Sequence, residues 1–359
     1  MMKWVAALFL VIGLAFCSSS ALAQDDLGLP DDASMVPPPQ FIKPAEVLKM
    51  MQDKDTSFVL VDTQPEEAFA DGHIPGAINF PWVQRVTPPI SLPRDKMLVL
   101  YCPCNHDEDS IDMYKKLAEF GYLNTKILEG GWYKWVALKY PVAGTDAADA
   151  IKMANAAAAN GAASASSSGS SAAATPAAAP ADTATTATTS GPMTSGRPVG
   201  AVTPSLRVID VTGKYKGQDT CYVCEYGTAP TLIGFFQKPS DEAADLIVKL
   251  NALVQSNKNL KGFVVMINGP ESKGWLTKLA ADKGITIPMV YLAKGTSDTG
   301  MRLYKLNPEA NNTILVDNNR QVFANFVNIT DATFDQVADA STKMLASVQS
   351  TSASGSGGQ

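Results

Sequence analysis

Four cysteines of this 359-residue chain lie in two close pairs, Cys102-Pro-Cys104 and Cys221-Tyr-Val-Cys224, and these are the residues whose type and spacing most directly offer chemistry. A thiolate can serve as nucleophile, redox centre or soft-metal ligand, and its surroundings decide which. The short apolar run Met97-Leu-Val-Leu-Tyr101 ends directly at Cys102, and an amphipathic pattern starts a few residues later at Ile111. Cys102 is therefore predicted in a loop between strand and helix. Backbone N–H groups and the helix dipole favour negative charge on sulfur at such a place. Cys104 is placed to resolve a persulfide or sulfenate on Cys102 into a disulfide, with simple filling of the loop as the alternative.

The rest of the loop reads Asn105-His106-Asp107-Glu108-Asp109-Ser110, without Arg or Lys. His106 is an auxiliary candidate, as a general base or, when protonated, a counter-charge; neutral and solvated is its other state. Unit charges at close range interact by about 1 to 4 kcal/mol, depending on screening by water. That equals or exceeds the ~0.3 to 1 kcal/mol a helix terminus offers an anion. The loop is thus expected to bind anionic donors poorly. Its three carboxylates are expected to cap free N–H groups of the following helix. Cys221 and Cys224 fit a redox-active disulfide, a structural disulfide or half of a metal site.

These loops need elements to hold them. Phe58-Val-Leu-Val61 reads as a buried strand, and Pro44 to Met51 and Ile111 to Phe120 as helices with one apolar face each. Alternation of this kind implies a parallel sheet covered on both faces, with its ligand site beyond the carboxyl ends of the strands, where Cys102 falls. Later come a strand at Thr231 to Phe236, a helix capped by Ser240, strands at Phe263 to Ile267 and Ile287 to Leu292, and a helix around Trp275 to Lys283. A hairpin of Thr313 to Val316 with Gln321 to Phe326 and a last helix from about Asp331 to Val348 complete the pattern.

Composition divides the chain. Lys3, an apolar run from Val5 to Phe16 and Ala21-Leu-Ala23 resemble a removed secretory signal over residues 1–23; the run is short of the ~20 residues a membrane span needs. A flexible leader is expected over 24–40, a first domain over 41–143, an Ala/Ser/Thr/Pro-rich disordered linker over 144–200, a second domain over 201–349 and a disordered tail over 350–359. Loss of the signal removes Lys3 and moves the formal charge from −6 to −7. An acidic chain without a basic cluster argues against nucleic acid as a partner. Export, to the periplasm or outside the cell, places the thiols where close pairs oxidise.

The segment Asp62-Thr-Gln-Pro-Glu-Glu-Ala-Phe-Ala-Asp-Gly-His-Ile-Pro-Gly-Ala-Ile-Asn-Phe-Pro81 resembles the first signature of rhodanese domains. Cys102 stands where that family carries its sulfur-accepting cysteine, and Leu128-Glu-Gly-Gly-Trp132 with Trp135 and Pro141 resembles the closing signature. The resemblance implies a sulfur-transfer site at Cys102, served by a small sulfane-sulfur donor or a thiol protein and needing no cofactor. Gln64 and Ala68 stand where most members have Arg and Glu, so both halves of an ion pair are replaced together. The absent arginine excludes the related phosphatase chemistry, in which Cys and Arg clamp phosphate in one loop. His73 is expected to bond backbone in a tight turn, Gly130 and Gly131 to make a backbone turn, and Trp132 to enter the core. The second domain's element order resembles the thioredoxin-like fold in its peroxiredoxin-type form, although Gln237-Lys-Pro-Ser240 carries no sulfur where that fold has its dithiol.

The expected fold class is therefore α/β, a rhodanese-like parallel-sheet domain and a thioredoxin-like domain joined by a disordered linker. The expected function is sulfur transfer or thiol-disulfide chemistry at Cys102. The alternatives are a catalytically silent binding module and a soft-metal site that joins the two cysteine pairs.

Overall fold

The computed structural model describes residues 36–147 and 193–354. The expected signal segment, most of the leader, and the linker from 148 to 192 lie outside them, as do residues 355–359 of the tail. Among the described residues no helix is long and apolar enough to cross a membrane.

The first domain runs β1 (Gln40–Ile42), α1 (Pro44–Gln52), β2 (Phe58–Asp62), α2 (Glu66–Asp71), β3 (Ile78–Asn79), β4 (Met97–Tyr101), α3 (Glu108–Ala118), β5 (Thr125–Leu128) and α4 (Gly131–Ala137). Its strands form a wholly parallel sheet in the order β1-β5-β4-β2-β3. β4 lies in the centre, where both faces are covered, which is why its sequence is a continuous apolar run. In register, Asp62 faces Tyr101, so β2 and β4 end level and Cys102 leaves the sheet at its carboxyl edge. Trp132 and Trp135 are fully buried with Val47, Leu60, Val99 and Leu128 beneath this edge. His73 does what its turn implies: Nδ1 lies 2.7 Å from the Phe69 carbonyl, and the backbone bridges to Ala143. Gln64 is buried and donates to Asp62 Oδ2 at 2.9 Å and to the Gly72 carbonyl at 3.1 Å, a neutral replacement for the charged pair.

The second domain runs β6 (Val208–Asp210), β7 (Asp219–Thr220), α5 (Tyr222–Tyr226), β8 (Thr231–Phe236), α6 (Asp241–Gln255), β9 (Lys261–Met266), α7 (Lys273–Lys283), β10 (Met289–Tyr291), α8 (Thr299–Leu303), β11 (Asn312–Asn318), β12 (Gln321–Val327) and α9 (Asp335–Ser354). Its sheet has the order β12-β11-β8-β9-β10-β6-β7, with β8, β9 and β10 parallel and the outer strands antiparallel. Ser240 Oγ accepts from Ala243 N at 3.1 Å and starts α6, whose Leu246, Ile247 and Leu250 are buried against the sheet. Burial of each such side chain contributes roughly 1.5 to 3 kcal/mol.

Three stretches depart from expectation. Residues 193–200, assigned to the linker, lie along the second sheet because their polar groups find partners there: Ser195 Oγ bonds Thr313 Oγ1 at 2.6 Å, and Asn325 Nδ2 donates to the carbonyls of Ser195 and Arg197. At the linker's other end, Thr145 and Asp146 donate their N–H groups to Ala70 and Asp71. Helix α9 continues to Ser354, into the expected tail, and the first helix-breaking residue in that sequence is Gly355.

Candidate functional site

β4 delivers Cys102 into a loop that bends at Pro103 and turns at Asn105 and His106 before α3 begins. Both cysteines are free thiols, and both are buried, at 0% and 1% exposure. The start of α4 closes over the loop from one side. Trp132 N donates to the Cys102 carbonyl at 3.0 Å, an approach possible because Gly131, at φ +47°, carries no Cβ; one added there would lie 2.4 Å from that oxygen.

The three loop carboxylates do not cap α3. Asp107 occupies the cap position in a left-handed conformation, φ 59°, and its Oδ2 accepts from Gly130 N at 2.9 Å instead, tying the thiol loop to the glycine turn. Glu108 Oε2 accepts from His106 N at 3.0 Å. Asp109 turns inward to an arginine of the second domain. Each acid has found a partner that competes better than a solvated helix end.

Burial also decides the state of the sulfurs. It pushes the Cys102 thiol up, and the Cys104 thiol well above its ordinary value, with the hydrogen bond to Cys102 and the Asp109 charge adding to the rise at Cys104. The thiolate expected from the helix terminus is therefore not the resting form: desolvation outweighs the dipole. His106 does not serve the sulfurs. It is exposed, with Nε2 3.0 Å from the Tyr215 hydroxyl, which donates to Glu225 at 2.6 Å.

What covers the thiols is the second domain. Cys221 and Cys224 form a disulfide at the start of α5, and both pairs share one buried cluster with Tyr222 and Val223. The Cys104 sulfur, the Cys224 sulfur and an Asp109 carboxylate oxygen all lie within 4.8 Å of one another. Asp109 Oδ2 is 3.9 Å from Cys224 Sγ, and Cys224 N donates to Cys221 Sγ at 3.1 Å. Asn105 Nδ2 donates to Thr220 Oγ1 at 3.0 Å, and Tyr133 Oη to Asp219 at 3.2 Å, which pins the same contact at its rim. A solvent-open cleft lies beside it, lined by Pro103, Arg207, Asp219 and Lys294 among others.

Arg320 is the residue that sequence reasoning missed. It is 2% exposed, donates from Nη1 to Asp109 Oδ1 at 2.6 Å and from Nε to the Thr203 carbonyl at 3.3 Å, and stacks 3.7 Å from the Trp82 ring centroid. Asn319 and Arg320 form the β11–β12 turn, both at positive φ, 55° and 56°. The second place in such a turn ordinarily belongs to glycine. An arginine there was the available signal.

For a metal, two sulfurs, Cys104 and Cys224, converge with the Asp109 carboxylate, but the disulfide withholds the Cys224 thiolate, so the two sulfurs could serve together only after reduction. His106, Glu108 and Glu225 form a second, more exposed group.

Residues 43–138 match the rhodanese-like domain family. The adenylyltransferase and sulfurtransferase UBA4 of Meyerozyma guilliermondii is 31% identical over 88 residues, covering 23% of this chain and 21% of that protein. The sulfur carrier protein TtuD of Thermus thermophilus is 32% identical over 90 residues, covering 21% of this chain and 31% of that protein. The chain thus spans about a fifth to a third of the length of these relatives. Among solved structures, a thiol peroxidase from Chromobacterium violaceum aligns at 16% identity and a TM-score of 0.31, over 43% of this chain and 89% of that one.

Proposed function

We propose that this chain, whose residues 43–138 form a rhodanese-like domain, accepts a sulfane sulfur on Cys102 and hands sulfur or an oxidising equivalent to a neighbouring thiol. The observation that carries this is the free Cys102 thiol at the carboxyl end of β4 with a second free thiol, Cys104, in the same loop. Relatives named as a sulfurtransferase and a sulfur carrier support the same class of reaction. With thiosulfate as donor, the Cys102 thiolate would attack the outer sulfur; a sulfur–sulfur bond forms to Cys102 as the one to sulfite breaks, and sulfite leaves with the electron pair. A thiol acceptor, small or on a protein, then takes the sulfur. Burial of Cys102 suits the product, since a persulfide shielded from water is spared side reactions.

The second domain is proposed to be thioredoxin-like, on the strength of its parallel β8-β9-β10 core with an antiparallel hairpin beside it. The Cys221–Cys224 disulfide suits an exported protein, periplasmic or extracellular; cell fractionation would test that placement. One observation favours a different outcome, a silent binding module: both loop thiols are sealed from solvent and held neutral.

The test is to incubate the oxidised protein, purified without reductant, with thiosulfate and in parallel with polysulfide, then map modified peptides by mass spectrometry. Sulfur transfer predicts one added sulfur atom on Cys102, absent in Cys102→Ser and retained in Cys104→Ser. A Cys102 that neither donor modifies overturns the sulfur-transfer reading.

A further inference from the structure

From the placement of the four sulfurs we infer that Cys104 is the attacking thiol in an internal exchange with the Cys221–Cys224 disulfide, so that the contact between the domains is a thiol-disulfide oxidoreductase site. This goes beyond sulfur acceptance and holds whether or not Cys102 ever carries a persulfide. Three observations meet here. Cys104 Sγ lies within 4.8 Å of Cys224 Sγ and of an Asp109 oxygen. The sulfur that would leave, Cys221 Sγ, already accepts the Cys224 N–H at 3.1 Å, a bond that strengthens as charge develops on it. Cys102, the other free thiol of the loop, lies two residues from Cys104 in the same buried cluster and stands ready to resolve the product.

The exchange runs in two balanced steps. Asp109 takes the proton of Cys104; the thiolate bonds to Cys224 Sγ, and the Cys221–Cys224 bond breaks with its electron pair going to Cys221, which receives the proton. Cys102 then gives up its proton and bonds to Cys104 Sγ as the Cys104–Cys224 bond breaks; the electron pair goes to Cys224, which takes the proton and leaves as a thiol. Two thiols and one disulfide enter, and two thiols and one disulfide leave, so no external oxidant or reductant is consumed. The burial that keeps these thiols protonated makes an adjacent base necessary, and Asp109, held by Arg320, is the carboxylate in place. Burial also excludes competing thiols, so the attack gains the advantage of an intramolecular reaction. The electrons of either pair thereby become available to the other domain.

The full-length protein tests this without any sulfur donor. In Cys102→Ser/Cys221→Ser, mild oxidation with diamide should join Cys104 to Cys224, read as a disulfide-linked peptide pair after acid quench; Cys104→Ser/Cys221→Ser should give none. In Cys102→Ser, the Cys104–Cys224 link should form from the native disulfide after a pH jump, roughly 10²-fold more slowly in the added Asp109→Asn background at pH 7, and recover at higher pH, which a structural role for Asp109 would not produce. Wild type needs no folding control: at one disulfide per chain it should contain both Cys102–Cys104 and Cys221–Cys224. If Cys104 and Cys224 stay unlinked in the variants and the wild type shows Cys221–Cys224 alone, the exchange does not occur. A positive result here with Cys102 unmodified by both thiosulfate and polysulfide would refute sulfur transfer and leave the exchange standing.

Discussion

Asp109 in the first turn of α3 and Arg320 of the β11–β12 turn, 211 positions apart in sequence, form a buried ion pair at 2.6 Å with both side chains under 5% exposed. The pair supplies in space what the loop lacks in sequence, a cation beside the sulfurs. It is also the base of the lid: the carboxylate touches Cys224 while the guanidinium rests on Trp82.

Breaking that pair from one side should be expensive. Arg320→Met leaves the Asp109 charge buried and unpartnered, which costs about 3 to 5 kcal/mol, whereas Asp109→Asn/Arg320→Met removes both charges and should recover most of that loss. Urea unfolding of the two variants beside wild type measures the difference. Equal destabilisation of single and double variants would show that the pair acts by packing alone.

Sealing predicts slow thiols. In the native protein Cys102 and Cys104 should react with a charged maleimide far more slowly than in denaturant, and Arg320→Met, by loosening the lid, should raise the native rate by an order of magnitude or more. Because burial pushes both thiols up, the native rate should keep climbing above the pH at which a solvated cysteine levels off. Rapid stoichiometric labelling of the untreated protein would contradict the closed arrangement.

The glycine turn gives a third test. Gly131→Ala puts a methyl 2.4 Å from the Cys102 carbonyl at a positive φ, so the loop must shift. A stability loss of about 1 to 3 kcal/mol is expected from the overpacking, together with faster maleimide labelling of Cys102. Gly76→Ala, also at positive φ but with nothing within 4 Å, separates backbone strain from the contact.

Much of this was legible in the chain. Strong apolar runs fix β4 and β8 to the residue, and the thiols at the end of β4 follow from chain order alone. β6 and β7, with three and two residues, are too short to show a period and exist because antiparallel edge pairing completes the sheet. Asp109 was misplaced for a different reason. Local sequence offers it a helix end, while the partner that wins lies in another domain, and no pattern within a few residues reports a contact between positions 109 and 320. The same holds for Cys104 and Cys224: each pair is visible, their meeting is not.

Buried acids set the response to pH. Asp62, between Gln64 and the Tyr101 hydroxyl, is pushed up to about 7 by desolvation, and Asp317, which accepts from Thr203 Oγ1 at 2.6 Å, is likewise pushed up to about 7 by burial. In the unfolded chain both titrate near the ordinary carboxyl value of 3.8. Between roughly pH 4 and 7 the folded protein thus holds protons that the unfolded chain has released. Stability must therefore fall as pH rises through that window, by up to ~1.4 kcal/mol per unit for each group. Below it both states are protonated and these groups contribute their full share; above it that share is lost. The melting temperature should be higher at pH 5 than at pH 8. Asp62→Asn, neutral at every pH, should flatten the slope and stabilise the protein at pH 8 relative to wild type. Calorimetry across pH 4 to 8 decides the matter, and a wild-type melting temperature that rises steadily toward pH 8 would mean that these carboxylates are ionised in the fold.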